Sequence, residues 1–504
     1  MTALIIHGHF YQPPRENPWT GSIERQPSAY PYHDWNERIH DECYGPNAFA
    51  HIIGASNTIE CTLNNYANIS FNFGPTLLSW LELQHPKTYR RIIEADKDSV
   101  GRRSGHGNAI AQAYGHAILP LCNERDRLTH VLWGLADFRF RFEREPESLW
   151  LPETACDHQT LELLIEQGLR FVILAPNQAE RVLRGEGESY SVADGSIDPR
   201  RAYQYPHSDH SGRSIAIFFY DGPSSRAIAF ERVLSSSQML VEMFKGAAQG
   251  GAMVNVATDG ETYGHHFKLG DLALAHALAV EAREQEFQVT NYGEFLARHP
   301  PEFEVEIKSG PEGEGTSWSC AHGVGRWIRD CGCHTGGEPG WRQQWRGPLR
   351  LALDFLRDEA ARQFESVGAD LLIDPWATRN YYIELILDHG RSRAEFLARH
   401  SKQILSPPDQ MRALTLLEIQ RNALLMYTSC GWFFSELSGI ETLQILKYAA
   451  RVIELMDELG LPSPRARFLG MLAAAESNIP AFGTGADLYL RFAEPAADVV
   501  PSYS

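Results

Sequence analysis

The sequence predicts an α/β fold built around a buried parallel sheet and followed by a helical region. Short apolar strands alternate with amphipathic helical stretches through about the first three hundred residues, a pattern typical of repeated strand–helix units. Six or seven such units favour a barrel over an open sheet. From Trp345 to about Ala475 the periodicity is helical almost throughout, and after Ile479 it is unclear; this predicts a C-terminal helical domain.

The predicted strands are apolar runs that end in polar residues. In chain order they are ALIIHGHF, NISFNFG, SLWLPE, FVILAP, IAIFFYDG and AMVNVATDG. Helical patterns such as PTLLSWLELQHPKTYRRIIEAD separate them. We predict a catalytic domain over 1–307 with a polar inserted loop or subdomain at 177–214, a Gly-rich linker and active-site loop over 308–340, and a helical domain over 341–504.

Length and charge narrow the class of protein. A chain of 504 residues is long enough for two or three domains. Its net charge of −18 argues against a nucleic-acid partner, and no apolar run reaches the length of a membrane span. The N-terminus shows no secretory signal, and eight cysteines without small-domain spacing indicate reduced thiols. We therefore expect a cytoplasmic protein.

One short cysteine motif offers metal ligands. Cys331 and Cys333 flank a single glycine, and His334 follows. No second CxxC or HxxxH completes a tetrahedral set in the sequence. We therefore expect packed or loop cysteines there, and no metal site.

Unusual polar residues follow several of the predicted strands. In a parallel barrel the chemistry lies at the carboxyl ends of the strands, so residues that follow different strands meet at one site. Any one of them alone is better explained as a turn or packing residue, whereas their joint placement indicates an active site. The set is His7, His9 and Gln12; His106 and His116; Glu153; and Asp259, Glu261 and His265.

Two chemistries fit this set of residues. Glycoside hydrolysis needs two carboxylates in different environments, for which Glu153 and Asp259 are the candidates. Glu261, two residues beyond Asp259, is an alternative acid. Metal-dependent hydrolysis needs imidazole and carboxylate ligands, for which His7, His9, Asp259 and His265 are the candidates. Composition alone does not separate the two.

Four motifs resemble those of glycoside hydrolase family 57, the second α-amylase family. The opening HGHFYQPPRENPW is similar to that of a bacterial branch of the family, and the Gly-rich run from Gly105 to Leu121 resembles its second block. Trp150-Leu-Pro-Glu153 resembles the third block, and Asp259-Gly-Glu-Thr-Tyr-Gly-His265 the fourth. The nearest candidate for the fifth, SWSCAHGVGRW, shares little beyond a Trp and a His-Gly.

This resemblance implies an incomplete (β/α)7 barrel with a small inserted subdomain and a helical C-terminal domain. It implies a retaining enzyme that acts on α-glucans, with Glu153 as nucleophile, Asp259 as acid/base and no cofactor. Amylase-type hydrolysis, 4-α-glucanotransfer and branching stay open, since they differ in the acceptor. The expected substrate-binding residues are His7, His9, Gln12, Trp19, His106, His116, Trp150, Glu261, Tyr263, His265, Trp318, His322 and Trp327.

Two other functions stay open beside this one. A metal-dependent amidohydrolase or deacetylase would bind a metal ion through His7, His9, Asp259 and His265. A non-catalytic homologue would bind glucan without turnover, but both proposed catalytic carboxylates are present.

Overall fold

We analysed a computed structural model of the chain that describes residues 1–54, 56, 58–185 and 187–494. The strands in these residues are β1 Thr2–Phe10, β2 Ala50–Ile53, β3 Ile59–Leu63, β4 Ser70–Phe73, β5 Ala111–Gln112, β6 Leu149–Trp150, β7 Phe171–Leu174, β8 Ala179–Arg184, β9 Glu188–Ser191, β10 Ala202–Pro206, β11 Ser214–Phe219, β12 Met253–Asp259, β13 Phe287–Val289 and β14 Glu304–Ile307.

The α-helices before residue 341 are α1 Trp35–Ile39, α2 Gly45–Ala48, α3 Pro75–Gln84, α4 Pro86–Arg102, α5 Glu124–Phe142, α6 His158–Glu166, α7 Gly222–Phe230, α8 Ser237–Ala248, α9 Gly270–His276, α10 Ala282–Glu284 and α11 Tyr292–Arg298. After it come α12 Arg346–Leu371, α13 Pro375–Tyr381, α14 Ile383–Leu387, α15 Arg393–His400, α16 Pro407–Leu425, α17 Cys430–Phe433, α18 Ile440–Glu458, α19 Arg465–Leu472 and α20 Gly485–Leu488.

Parallel strands form the centre of the first 307 residues. Strand β1 pairs in parallel with β12 on one side and with β4 and β13 on the other. The pairs β5–β6 and β7–β11 are also parallel. The parallel bridge Phe71–Ala109 joins β4 to the segment before β5, and the parallel bridge Ser148–Phe171 joins the segment before β6 to β7. Residues 3–10 of β1 are all buried, as expected of a strand covered on both faces. The carboxyl ends of these strands therefore share one edge.

The polar segment predicted at 177–214 contains regular structure. Strands β8 and β9 form an antiparallel hairpin, and β10 pairs antiparallel with β11. Together with β7 and β14 they make a six-stranded sheet in the order β7-β11-β10-β14-β8-β9. The segment is thus a strand-rich extension of the central strands.

The C-terminal region is helical, as predicted, over its described residues. Helices α12, α16 and α18 pack around a second hydrophobic core that includes Leu353, Leu416 and Ile445. Residues 495–504 of the predicted helical domain lie outside the described residues. None of the helices in the described part of the chain combines the length and the apolar character needed to cross a bilayer.

The helical region is joined to the first part of the chain by a buried ion pair. Arg379 of α13 donates to Asp126 of α5 over 2.7 Å and to the Thr129 hydroxyl over 2.7 Å. Its guanidinium also stacks on Trp376, 4.4 Å from the ring centroid. Since Arg379 is only 1% exposed, these contacts compensate the loss of hydration of a buried charge.

Candidate active site

Glu153 lies in a strained turn directly after β6. The turn Pro152–Thr154 places Glu153 at φ 59° and Thr154 at φ 49°, both in the left-handed region. Such conformations cost on the order of 1–3 kcal/mol per residue and persist only where the surroundings fix them. Gln178 provides that constraint, because it accepts from the Thr154 hydroxyl and donates to the Thr154 carbonyl, both over 2.9 Å.

Two donors from the 308–340 segment hold the Glu153 carboxylate. Trp318 Nε1 donates to Glu153 Oε2 over 3.0 Å, and Ser319 Oγ donates to the same oxygen over 2.7 Å. Burial raises the pKa of Glu153, while the two donors act in the opposite direction. The hydrogen bonds therefore favour an ionised carboxylate in a desolvated place.

Asp259 is the last residue of β12 and lies beside His9 of β1 in the parallel register. Its side chain is accessible to solvent, but nearby protein atoms still desolvate it. This desolvation, together with the negative charge of Glu153, raises the pKa of Asp259 from 3.8 to about 7. The two carboxylates therefore lie near one another and differ in their tendency to hold a proton.

Glu261 points into the protein interior. Its Oε1 accepts from the Tyr44 hydroxyl over 2.6 Å and from the Tyr11 backbone N–H over 3.0 Å. Burial and the charge of Asp259 raise its pKa to about 8. Glu261 is thus an interior anchor between the β12 end, the β1 end and Tyr44.

His7 and His9 are neutral members of a buried hydrogen-bond chain. His7 Nε2 lies 3.0 Å from Asn72 Oδ1, and His7 Nδ1 lies 3.0 Å from Ser70 Oγ. The Asn72 amide nitrogen donates to Gln112 over 2.7 Å and to His9 Nδ1 over 2.9 Å. Burial lowers the pKa of each of these histidines to about 3. Because His9 Nδ1 accepts, its proton lies on Nε2.

The chain continues through His116 into the helical region. His9 Nε2 lies 3.2 Å from His116 Nε2, and His116 Nδ1 lies 2.7 Å from Ser429 Oγ. With the proton of His9 on Nε2, His116 accepts there and donates from Nδ1 to Ser429. Tyr11 stacks on His116 at 3.7 Å between ring centroids. A residue 313 positions further along the chain thus completes this network.

The predicted aromatic residues divide into interior and accessible groups. Trp150, Tyr263 and Trp327 are at most 1% exposed; the Trp150 ring stacks on His7 and His9 at 4.8 and 4.9 Å. Trp318 is partly exposed and packs edge-on against Trp150, with ring centroids 5.3 Å apart. Trp318 is therefore the predicted tryptophan that both reaches Glu153 and keeps an accessible surface.

Other predicted residues lie at the borders of this region. Gln12 accepts from Arg15 over 2.8 Å. Trp19 donates from Nε1 to Glu454 of α18, so it contributes to the contact with the helical region. His265 pairs with Glu42. The exposed His322 lies with its Nδ1 3.5 Å from Cys333 Sγ.

His106 lies at the opposite end of the strands, so its expected place in the site is wrong. It precedes β5, and it pairs over 2.9 Å with Glu147, which precedes β6. Arg170, which precedes β7, also pairs with Glu147. These residues form a polar cluster at the amino ends of the strands, whereas Glu153 and Asp259 lie at the carboxyl ends.

Three of the four residues considered as metal ligands, His7, His9 and His265, hydrogen-bond to other protein groups. Both ring nitrogens of His7 and of His9 hydrogen-bond to protein groups, and His265 Nδ1 pairs with Glu42. At these residues the arrangement favours a hydrogen-bond network that positions side chains, rather than a metal centre.

Four residues of the site were missed in the sequence. Ser319 hydrogen-bonds to Glu153, and the pKa of Tyr220 is raised by burial and also by the charge of Asp259, which lies close to it. The Tyr11 hydroxyl is buried without a hydrogen-bond partner among the described residues. Ser429 comes from the helical region. Ser319 and Tyr220 are next to predicted motifs, but nothing in the sequence links Ser429 to them.

Comparisons with known proteins agree with this architecture. The model of glycosyl hydrolase family 57 matches residues 4–308, and that of a domain of unknown function, DUF3536, matches residues 341–501. Alpha-amylase 1 of Dictyoglomus thermophilum is 23% identical over 152 residues, which are 28% of this chain and 21% of that protein. The chain thus matches about a fifth of that relative's length.

Solved structures show the same fold at low identity. An exo-type maltose-forming amylase from Pyrococcus sp. ST04 has a TM-score of 0.66 at 16% identity, covering 94% of this chain and 82% of that one. A GH57-type branching enzyme from Pyrococcus horikoshii has a TM-score of 0.53 at 14% identity, covering 97% and 96%. A 4-alpha-glucanotransferase from Thermococcus litoralis has a TM-score of 0.52 at 13% identity, covering 91% and 60%.

The family model covers more than half of the chain and includes both candidate carboxylates, Glu153 and Asp259. The chain therefore belongs to glycosyl hydrolase family 57.

Proposed function

We propose that this protein is a retaining enzyme that acts on α-glucosidic bonds of α-glucans. The observation that carries the proposal is that Glu153 and Asp259 lie at the same edge of the parallel strands and have environments that give their carboxyl groups different proton affinities. Glu153 receives two hydrogen bonds that favour its ionised form, whereas Asp259 has its pKa raised to about 7. A nucleophile and a general acid require this division.

In the proposed first step, Glu153 Oε attacks the anomeric carbon and the glycosidic C–O bond breaks. Asp259 gives its proton to the departing sugar oxygen, so the leaving group departs as a neutral hydroxyl. In the second step Asp259 removes a proton from the acceptor hydroxyl, whose oxygen displaces Glu153 from the anomeric carbon. Two inversions give net retention.

The acceptor decides between hydrolysis, transfer and branching. Water gives hydrolysis, and a sugar hydroxyl gives a new glycosidic bond. The names of the structural relatives include an amylase, a glucanotransferase and a branching enzyme, and we propose for this chain the step that these reactions share. The proposed partner is an α-glucan or a malto-oligosaccharide, and the proposed location is the cytoplasm.

We propose that the seven parallel strands β1, β4, β5, β6, β7, β11 and β12 form an incomplete (β/α)7 barrel. In support, the Asp221 N–H donates to the Asn255 carbonyl over 2.8 Å, which brings the end of β11 to β12. The domain bounds would then be 1–307 for the barrel with its extension at 177–214, 308–340 for the connecting loop, and 341–504 for the helical domain.

Sugar binding is proposed for the accessible residues around the two carboxylates. Trp318 offers a partly exposed indole ring, and Gln12 is a partly exposed amide residue. The Tyr11 hydroxyl is buried and has no hydrogen-bond partner among the described residues. Burial is the main cause that raises its pKa, and the charge of Glu153 adds to it, so this hydroxyl is a free donor near Glu153 for a sugar that reaches it. The buried His7, His9 and His116 would then act by positioning Trp150 and Tyr11.

The test uses purified enzyme with malto-oligosaccharides and amylose, measuring both reducing-end release and redistribution of chain lengths. We expect Glu153→Ala and Asp259→Asn each to lower the turnover rate by at least about 10²-fold, a typical loss for such a group. Asp370→Asn is the matched control, because Asp370 is an exposed carboxylate on α12. It should keep wild-type activity.

Azide separates the two roles. With an activated α-glucoside, azide should rescue Glu153→Ala and give the β-glycosyl azide, because a single displacement inverts the anomeric carbon. In Asp259→Asn, azide can attack only the glycosyl-enzyme and should give the α-azide. Wild-type rates in either variant, or exchanged azide configurations, would overturn the assignment.

A further inference from the structure

We propose that Cys320, His322, Cys331 and Cys333 form a structural zinc site. The expectation of no metal at Cys331 and Cys333 rested on the lack of a second CxxC or HxxxH pair in the sequence, and it did not include the pair Cys320-x-His322. In the fold, the pair Cys320-x-His322 meets the pair Cys331-x-Cys333. The ligand atoms of all four residues lie within 4.8 Å of one another. Among the described residues, one group of three or more His, Cys, Asp or Glu side chains is close enough to hold a metal ion, and it is this group.

The distances match a tetrahedral zinc site. Cys320 Sγ lies 3.8 Å from Cys331 Sγ and 3.8 Å from Cys333 Sγ, and Cys333 Sγ lies 3.5 Å from His322 Nδ1. Zn–S bonds of about 2.3 Å and Zn–N bonds of about 2.0 Å give tetrahedral edges of about 3.8 Å between sulfurs and about 3.5 Å between sulfur and nitrogen. The side chains are thus already spaced for one ion.

The donor set selects for zinc and for a structural role. Three thiolates and an imidazole are soft and borderline ligands, which suit Zn²⁺ and do not suit Mg²⁺ or Ca²⁺. Four protein ligands close the tetrahedron and leave no open position for a reacting water. A disulfide does not explain the cluster, because an S–S bond is about 2.05 Å long and all three cysteines are free thiols.

Cationic side chains surround the cysteines. Three thiolates with one Zn²⁺ carry a net charge of −1, and nearby cations stabilise such a charge where the site is partly buried. Arg346, which is fully buried, donates to the Cys333 carbonyl over 2.7 Å. Arg326 donates to the Thr335 hydroxyl over 2.8 Å. These arginines orient the ligand loop and offset its negative charge, as outer partners of metal sites do.

The site lies on the loop that holds the proposed nucleophile. Ser319 and Trp318, the two donors to Glu153, directly precede the ligand Cys320. The loop is anchored at its start by the Thr316–Cys156 bridge and further along by Trp327 Nε1, which donates to the Ser429 carbonyl. A bound zinc ion would therefore fix the position from which Trp318 and Ser319 reach Glu153.

The first experiment measures metal directly in tag-free wild-type protein. After incubation with one equivalent of Zn²⁺ and gel filtration, elemental analysis should give about one zinc per chain. Protein loaded with Co²⁺ in its place should show thiolate-to-cobalt charge-transfer absorption together with the intense d–d bands of a tetrahedral ion. Neither readout depends on activity, so both results are independent of the proposed glucan chemistry.

The second experiment assigns the ion to these residues. Cys331→Ser and His322→Ala should each lower retained zinc at least tenfold and abolish or shift the cobalt charge-transfer band. Cys61→Ser is the matched control, because Cys61 is an exposed cysteine of β3, and it should retain one zinc per chain. If a variant fails to fold, the wild-type spectra still decide the matter.

The proposal would be overturned by wild-type protein that retains less than a tenth of an equivalent of zinc after loading. Cobalt-loaded protein without thiolate charge transfer would also overturn it, as would a disulfide among the three cysteines in protein purified under reducing conditions. Zinc retention by Cys331→Ser equal to that of Cys61→Ser would place the ion elsewhere.

Discussion

Replacing Trp318 by Phe tests how the structure sets the proton affinity of Glu153. The change removes the Nε1 donor, 3.0 Å from Glu153 Oε2, and keeps an aromatic ring to pack against Trp150. Ser319 still donates to the same oxygen. A hydrogen bond to a charged group contributes about 1.5–3 kcal/mol, and 1.36 kcal/mol corresponds to one pKa unit. Because Ser319 still binds the same oxygen, the lower end of this range applies, and we expect the pKa of Glu153 to rise by about one unit.

The assay is the pH profile of kcat/KM with a chromogenic malto-oligosaccharide. The nucleophile must be ionised, so its pKa sets the acidic limb, while the acid Asp259 sets the alkaline limb. The acidic limb of Trp318→Phe should move up by about one pH unit, and the alkaline limb should stay in place. The profile should therefore become narrower.

The control is Trp376→Phe, which removes a similar bond from Nε1 to Glu365, 2.8 Å long, on the helical region. That variant should keep the wild-type profile. An acidic limb of Trp318→Phe that superimposes on the wild-type limb would refute the idea that this hydrogen bond tunes Glu153. A shift of the acidic limb to lower pH would refute it as well.

Three further predictions concern stability. Asp259 has a folded pKa of about 7 against an ordinary 3.8, so its ionisation opposes folding and stability is lost as pH rises through about 7; Asp259→Asn should melt at a higher temperature than wild type at pH 8 but not at pH 4. His7 and His9 have pKa values of about 3 in the folded protein, against the ordinary value of 6.5. Between pH 7 and pH 5 the unfolded chain therefore binds protons that the folded protein does not bind. Urea titrations should show the free energy of unfolding falling by about 2 kcal/mol per histidine over this range. Arg379→Ala leaves Asp126 buried without its partner, and denaturation should show a loss of about 3–5 kcal/mol.

A control or a test variant checks each stability prediction. Asp370→Asn should leave the melting temperature unchanged at both pH values, since Asp370 is exposed. His9→Gln should remove the contribution of one histidine to the pH slope, and an unchanged slope would contradict the prediction for His9. Lys245→Ala removes a surface pair with Glu242 and should cost less than about 0.5 kcal/mol. A similar cost for Arg379→Ala would show that its ion pair contributes little.

The strand ends were predictable because their signal is local. A strand buried on both faces reads as an apolar run, and the polar residue that ends it stands out, as Glu153 and Asp259 do. The same reasoning misplaced His106, because the placement of a residue at one end of a strand depends on where that strand begins. Strand β5 starts only at Ala111, so His106 lies before the strand and at its other end.

The rest of the site could not be read because it depends on contacts between distant segments. Ser429 reaches His116 across 313 positions, and nothing in either segment specifies that contact. The cysteine cluster was missed for a related reason. Each of its two pairs has a spacer of one residue, and only the folded loop brings Cys320 next to Cys331 and Cys333.

The Ser429 contact has a consequence for the order of assembly during synthesis. A ribosome makes Glu153, Asp259 and His116 well before it makes residue 429. Until the helical region has emerged and docked, His116 has no acceptor for its Nδ1 proton, and Trp327 has no carbonyl to bind. A nascent chain therefore lacks both contacts through most of its elongation, and a fragment that stops at residue 340 would carry both carboxylates without the contacts that the helical region makes to His116 and Trp327.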